Sequence, residues 1–350
     1  MLPEWVYQNC PEVSAVHREA AIARQAQLTK PTGALGRLEQ LAVELAGLQA
    51  TEQPRASRVP IIIFAGDHGI VAQGVSAYPQ AVTIAMMANF ASGGAAISVL
   101  ARELGSSLEV VDAGTLAQEQ MAGIITDKPR SGTRDFSVEA ALTPTELAFA
   151  FEAGQRAVAR AAPSQPDLLI FGEMGIGNTT TSAAIAASLL GVSAEEIAGS
   201  GTGVDMAGRA HKARVIDAAI ARHGVSGALV EKILCAVGGL EIAAISGAII
   251  AAAQARIPVL IDGFIVSVAA LAAARLNPSC QPFQLASHQS AEQGHRLVLR
   301  ALNVQPLISL DLRLGEGSGA AIALPLVRSA CALHNGMATF TQANVPDRPA

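Results

Sequence analysis

From Val59 onward the chain alternates between two kinds of segment, and that alternation restricts its fold more than any other feature. Short apolar runs, "VPIIIF", "LEVVD", "DLLIF", "KILCAV", "IPVLI" and "LISLDLRL", are separated by alanine-rich stretches with helical spacing, such as "TELAFAFEAGQRAVARAA" and "EIAAISGAIIAAAQA". Most of the runs are continuous rather than alternating, as in strands covered on both faces of a parallel sheet. Strands and helices in strict turn predict an α/β fold. About six strands fit an open, doubly wound sheet better than an eight-stranded barrel.

The two ends of the chain read differently. Within residues 12–50, "SAVHREAAIARQAQL" and "ALGRLEQLAVELAGL" place apolar residues three and four apart, predicting two helices split at Pro-Thr-Gly. A polar link, "ATEQPRASR", leads into the first apolar run. "AAIALPLVRSACALH" near the C-terminus predicts another helix. The expected organisation is a small helical domain from residues 1–57 together with 321–350, and a large α/β domain over 58–320.

Composition narrows the class. Hydrophobic residues make up 51% of the 350 and charged residues 15%, enough for a sizeable core; aromatics are only 3%, so small aliphatics must fill it. The longest uncharged apolar run, 263–274, is well short of the ~20 residues a spanning helix needs, and Asp262 and Arg275 flank it. A buried helix and no membrane are expected. "MLPEWVYQNC" has neither a basic nor an apolar signal region. Four scattered cysteines without CxxC spacing read as free thiols. Both observations predict a cytoplasmic protein. A net charge of -5 without a basic cluster argues against nucleic acid as the main partner.

The polar residues gather at the ends of the apolar runs. "AGDHG" supplies Asp67 and His68, "GEMGIGNTT" supplies Glu173, Asn178, Thr179 and Thr180, "GGLE" supplies Glu241, "DGF" supplies Asp262 and "GEGSG" supplies Glu316. Ligands of open α/β sheets bind outside the carboxyl ends of the strands, so a substrate crevice is expected there. In "GEMGIGNTTTSAA" glycines permit close backbone approach, and the threonine run opens a helix whose free N–H groups favour an anion. "SHQSAEQGH" reads as a second helix start, with Ser287 and Ser290 as hydroxyl donors; His288 and His295 lack a partner at metal spacing. Lys212 reads locally as a solvated helix face that could add a cation. Glu316 is a lone carboxylate between glycines, and a partly apolar pocket would raise its pKa toward that of a general base.

"KPTGALGRLE", "AGDHGI", "SAYPQAVT", "GEMGIGNTTTSAA", "VGGLEIAAISGAI", "PVLIDGFI", "SHQSAEQGH" and "LRLGEGSGAA" occur in this order. Over roughly residues 30 to 330 this series resembles the nicotinate-nucleotide–dimethylbenzimidazole phosphoribosyltransferase family of cobalamin biosynthesis. The resemblance implies transfer of 5-phosphoribosyl from nicotinate mononucleotide to 5,6-dimethylbenzimidazole, with inversion at C1′, giving α-ribazole 5′-phosphate and nicotinate. It implies a Rossmann-like sheet with a small helical domain from both termini. It also implies a homodimer whose sites are completed by the partner's small domain, and no metal or organic cofactor. By motif, Glu316 matches the catalytic base, and Glu173 and Lys212 match further catalytic positions. Gly175, Asn178, Thr179 and Ser290 would surround the mononucleotide, Tyr78, Met86, Met174 and Leu314 the base, and Asp262 would join the binding set. The resemblance also implies a family that accepts several benzimidazoles, purines or phenols, with some relatives carrying smaller or polar residues where this chain has Tyr78 and Met86. Two other readings are a nicotinamide-dependent oxidoreductase, which the missing GxGxxG opposes, and a non-catalytic nucleotide-binding regulator, which an intact Glu316 opposes.

Overall fold

In the structure, a computed structural model describing residues 1–199, 201, 203 and 205–346, the apolar runs assemble into one six-stranded sheet. Its strands are β1 (Ile61–Gly66), β2 (Leu108–Gly114), β3 (Ile125–Thr126), β4 (Leu169–Met174), β5 (Val259–Ile261) and β6 (Gln284–Ala286), in the order β3-β2-β1-β4-β5-β6. Every neighbouring pair is parallel. All six residues of β1 are buried, which explains the unbroken "IIIF": helices cover both faces, so neither face selects polar residues. The order reverses between β1 and β4: Ile61 of β1 faces Leu108 of β2 on one side and Ile170 of β4 on the other. A doubly wound sheet forms its ligand crevice outside the strand ends at that reversal.

Four of the six expected runs enter this sheet and two do not. "KILCAV" folds as the helix Val230–Val237, with Ile233, Leu234, Ala236 and Val237 buried. A short apolar run carries the same composition in a buried helix as in a strand, and here helical spacing prevails. "LISLDLRL" contributes only β8 (Ile308–Ser309), paired with β7 (His288–Gln289) in a separate two-stranded sheet. Beyond β8 it leaves regular structure, with Leu310 and Leu314 exposed. The edge strands β3 and β6 come instead from segments without a strong apolar run. In "SHQSAEQGH" the helix begins only at His295, running to Leu302.

The 263–274 run lies within the buried helix Phe264–Leu276. A different segment, Ala81–Leu104, is long and apolar enough to cross a membrane by length and composition. It folds as two helices, Ala81–Ser92 and Ala96–Leu104, parted where Gly93 takes φ 86° and Ala95 is extended. A lipid-exposed break of that kind would leave backbone groups unsatisfied.

The helices Ala15–Gln27 and Arg37–Gln49 pack on each other, and the second also packs on Ser318–Gly336. Arg24 Nε donates to the His334 carbonyl at 2.7 Å, Gln25 Nε2 lies 2.9 Å from His334 Nδ1, and Leu28 bridges Thr339. The first residues go elsewhere: Asn277 Nδ2 donates to the carbonyls of Val6 and Gln8. Ser318–Gly336 crosses position 321 without interruption, and the last four residues of the expected terminal domain lie outside the described ones. All four cysteines are free; Cys235 is half-buried and the others are buried.

Candidate active site

A cavity of about 430 Å³ opens beyond the carboxyl ends of β4 and β5. β4 ends in Glu173 and Met174, β5 is followed by Asp262, and the turn before Ser318–Gly336 adds Glu316. The loop after β4 can pass close beneath only because of its glycines: a Cβ on Gly175 would lie 2.2 Å from the Gly66 carbonyl oxygen. The Ile176 N–H donates to Thr83 Oγ1 at 3.1 Å, and the helix Asn178–Leu190 then starts facing the cavity.

Glu316 stands in the left-handed region at φ 63°, between Gly315 at 86° and Gly317 at 83°. A non-glycine residue there costs about 1–2 kcal/mol, so the surroundings must impose it. Asp262 does so from below. Its Oδ1 accepts from the Ala320 N–H at 2.9 Å and its Oδ2 from the Gly317 N–H at 3.2 Å. The turn also rests on β4, where a Cβ on Gly172 would come 2.3 Å from the Glu316 carbonyl oxygen. Asp262 lines the cavity, but both its oxygens are engaged by backbone. Burial pushes its pKa up, while His288 and three backbone N–H groups pull it back. Glu316 is 6% exposed. Burial raises its pKa, the Ile97 N–H at 3.4 Å opposes that, and Asp262 adds to it.

Glu173 is buried among carboxylates. Desolvation, then the charges of Asp262, Glu241 and Glu316, push its pKa up to about 8, against the hydrogen bond from Asn178 Nδ2. It is therefore mainly protonated at pH 7. Lys212 is not solvated: it is 1% exposed within the helix Met206–His223, and its Nζ donates to Thr179 Oγ1 at 3.1 Å. Burial lowers its pKa to about 8, with Glu292 acting in the opposite sense.

Tyr78, Met86, Met174, Gly175, Asn178, Thr179, Ser290 and Leu314 all line the cavity; Tyr78 and Leu314 are more than half exposed at its mouth. Lys212 does not line it and reaches it through Thr179. Asp67, His68 and Glu241 lie beneath. His68 Nε2 is 2.8 Å from Glu241 Oε1, its Nδ1 is 2.9 Å from Thr181 Oγ1, and Asp67 Oδ2 accepts from the Leu116 N–H. These three support the β1 end and the Gly175 loop. Cavity residues not nominated from sequence include His288, Glu292 and Arg313. The first two fall within "SHQSAEQGH", where sequence spacing tests a histidine only as a metal ligand. Arg313 falls in a run read as strand. Among the described residues no three His, Cys, Asp or Glu side chains are grouped to hold a metal ion.

The arrangement offers a proton acceptor facing an apolar recess, and a helix start with a buried lysine suited to an anion. A family described as phosphoribosyltransferase matches residues 10–345. A nicotinate-nucleotide–dimethylbenzimidazole phosphoribosyltransferase from Bradyrhizobium diazoefficiens is 91% identical over 350 residues, spanning 100% of both chains. One of the same name from Pseudomonas aeruginosa is 54% identical over 348 residues, 99% of each. The crystal structure of a Thermus thermophilus enzyme of that name superposes with a TM-score of 0.91 at 40% identity, covering 96% of this chain and 100% of the other.

Proposed function

The chain belongs to the nicotinate-nucleotide–dimethylbenzimidazole phosphoribosyltransferase family, and from that premise we propose how its own residues carry the transfer. The reaction is phosphoribosyl transfer in the synthesis of the cobalamin lower ligand. The 5′-phosphate of nicotinate mononucleotide docks at the start of the helix Asn178–Leu190, against Thr179, Ser290 and, behind them, Lys212. The flat acceptor base lies between Met86, Met174, Tyr78 and Leu314, whose apolar and polarizable surfaces suit a bicyclic ring.

One nitrogen of dimethylbenzimidazole attacks C1′ from the face opposite nicotinate. The new N–C1′ bond forms as the old one breaks, and the electron pair of the old bond neutralises the pyridinium nitrogen. Configuration inverts from β to α. The N–H proton on the other benzimidazole nitrogen passes to Glu316. Glu173, protonated at neutral pH, keeps a second full negative charge away from Glu316, and Asp262 holds the turn that aims it. Positioned general-base catalysis is typically worth about 10²–10⁴ in rate.

The single observation that carries this reading is Glu316 itself. It is a buried carboxylate clamped at positive φ on the wall of a cavity that also holds the methionine recess. Glu316→Gln tests it: substrate binding by calorimetry is expected to persist while turnover falls at least about a hundredfold. A kcat near that of the wild type would remove Glu316 from the mechanism. We further propose a cytoplasmic homodimer, with the helices of both termini forming a small domain that completes the partner's site. The packing of Arg37–Gln49 against Ser318–Gly336 supports such a unit.

A further inference from the structure

His288 is 3% exposed and lines the cavity, and its hydrogen bonding defines which ring nitrogen faces the substrate. Ser287 Oγ lies 2.6 Å from the Ile261 carbonyl oxygen and 3.0 Å from His288 Nδ1. A carbonyl oxygen cannot donate, so the serine proton points to Ile261. Ser287 Oγ can then only accept from His288, and Nδ1 carries the ring proton. Asp262 Oδ1, 3.9 Å from the same nitrogen, favours the same tautomer. Burial lowers the His288 pKa, with Asp262 opposing, so the ring is held toward its neutral form.

Nε2 is therefore an acceptor, and no side chain or backbone group among the described residues donates to it. The ring edge bearing Nε2 lies beside Gly263, which also lines the cavity. A Cβ on Gly263 would sit 3.6 Å from Nε2 and 3.9 Å from Ser290 Cβ. The acceptor is thus placed between the Asp262–Glu316 turn and the proposed phosphate site at Ser290.

The donors on the two substrates are few. At neutral pH the phosphate and the nicotinate group of the mononucleotide offer none, and the N–H of the base goes to Glu316 in the mechanism above. The ribose hydroxyls remain, and ribose spans the distance from C1′ to the phosphate. We propose that His288 Nε2 accepts a hydrogen bond from a ribose hydroxyl of the mononucleotide, making His288 the residue that selects ribosyl over deoxyribosyl donors. This rests on the functional reading above.

The test compares nicotinate mononucleotide with its 2′-deoxy and 3′-deoxy analogues at fixed dimethylbenzimidazole, using the full-length protein. Wild type, His288→Asn and His288→Gln are assayed for kcat/KM by chromatography of the products. Asn retains a group at the Nδ1 position for Ser287 but cannot reach Nε2; Gln carries an acceptor to about the Nε2 position. The ribosyl-to-deoxyribosyl ratio for one analogue is expected to fall about tenfold in His288→Asn and to recover partly in His288→Gln. Comparing ratios between proteins cancels the intrinsic reactivity of the deoxy donors. A ratio within about twofold of wild type in His288→Asn for both analogues overturns the proposal. Should that variant fail to fold by circular dichroism, titration of wild type decides: equal Kd for the ribosyl and both deoxyribosyl mononucleotides overturns it. Wild-type protein that makes no product from the natural donor would instead refute the functional reading, which separates the two failures.

Discussion

Asp262→Asn is the substitution that most directly probes how Glu316 is held. The asparagine is nearly isosteric but has one acceptor oxygen where the carboxylate has two. Either the Ala320 N–H, now bonded at 2.9 Å, or the Gly317 N–H, at 3.2 Å, will face an NH₂ group instead. A hydrogen bond to a charged group contributes about 1.5–3 kcal/mol, and removing a buried charge recovers part of that. A net loss of about 2 kcal/mol is a reasonable midpoint. With an unfolding entropy of about 2.1 cal/mol/K per residue over 350 residues, the melting temperature should drop by about 3 °C. The effect on catalysis should be larger in proportion. The lost clamp is what opposes relaxation of Glu316 from φ 63°. If the same 2 kcal/mol separates the aimed turn from the relaxed one, kcat falls about 30-fold, at 1.36 kcal/mol per tenfold. Steady-state kinetics by product chromatography and scanning calorimetry measure the two effects. Both KM values should stay within about twofold. A tenfold rise in either KM with kcat unchanged would refute the clamp and make Asp262 a direct substrate contact.

Other expectations concern charge and shape. The Glu173 carboxyl is raised to about 8 in the folded chain from about 4.5, so its contribution to stability is complete below about pH 4.5 and is lost as pH rises through 8. Glu173→Gln should therefore flatten the fall in melting temperature between pH 6 and 9; an unchanged slope would show that Glu173 is ionised at neutral pH. Lys212 is held down to about 8 by burial; in the proposed phosphate role it acts only when protonated, so mononucleotide affinity should weaken above pH 8. Lys212→Ala should remove that pH dependence and raise KM for the mononucleotide more than for the base; unaltered affinity would remove Lys212 from the phosphate site. Two methyl groups buried at about 0.8 kcal/mol each should favour dimethylbenzimidazole over benzimidazole about tenfold in kcat/KM. Adenine, with more polar groups to desolvate, should fare worse, and equal product from adenine in direct competition would show a polar recess.

The parts of the fold legible in the sequence are those with a local physical signal. β1 and β4 announce themselves by unbroken branched residues because both faces are covered. The loop after β4 announces itself by glycines that a close backbone approach requires. The unread parts depend on partners remote in sequence. "KILCAV" has the composition of a strand, and its helical spacing becomes decisive only when Ile233, Leu234, Ala236 and Val237 bury one face against helices elsewhere in the chain. β3 and β6, two and three residues long, are too short to carry a period. Lys212 shows why local reading of a charge misleads: its helix has polar neighbours on both sides, and only the fold reveals that its face turns inward to Thr179. Asp262 was readable as a polar residue at a strand end. That its oxygens engage Gly317 and Ala320, across more than fifty positions, was not.

The shortness of β3 and β6 has a consequence for how copies of this chain meet. The rim strand of a sheet is an open template of unpaired N–H and C=O groups, and a long flat one recruits foreign strands. Here each rim presents at most three residues, too few for a cooperative ladder. Edges this short oppose the continuation of one sheet through another copy, and a partly unfolded neighbour finds little to anneal to. What these rims leave for contact with another chain is helical surface, where side chains rather than backbone decide which faces fit.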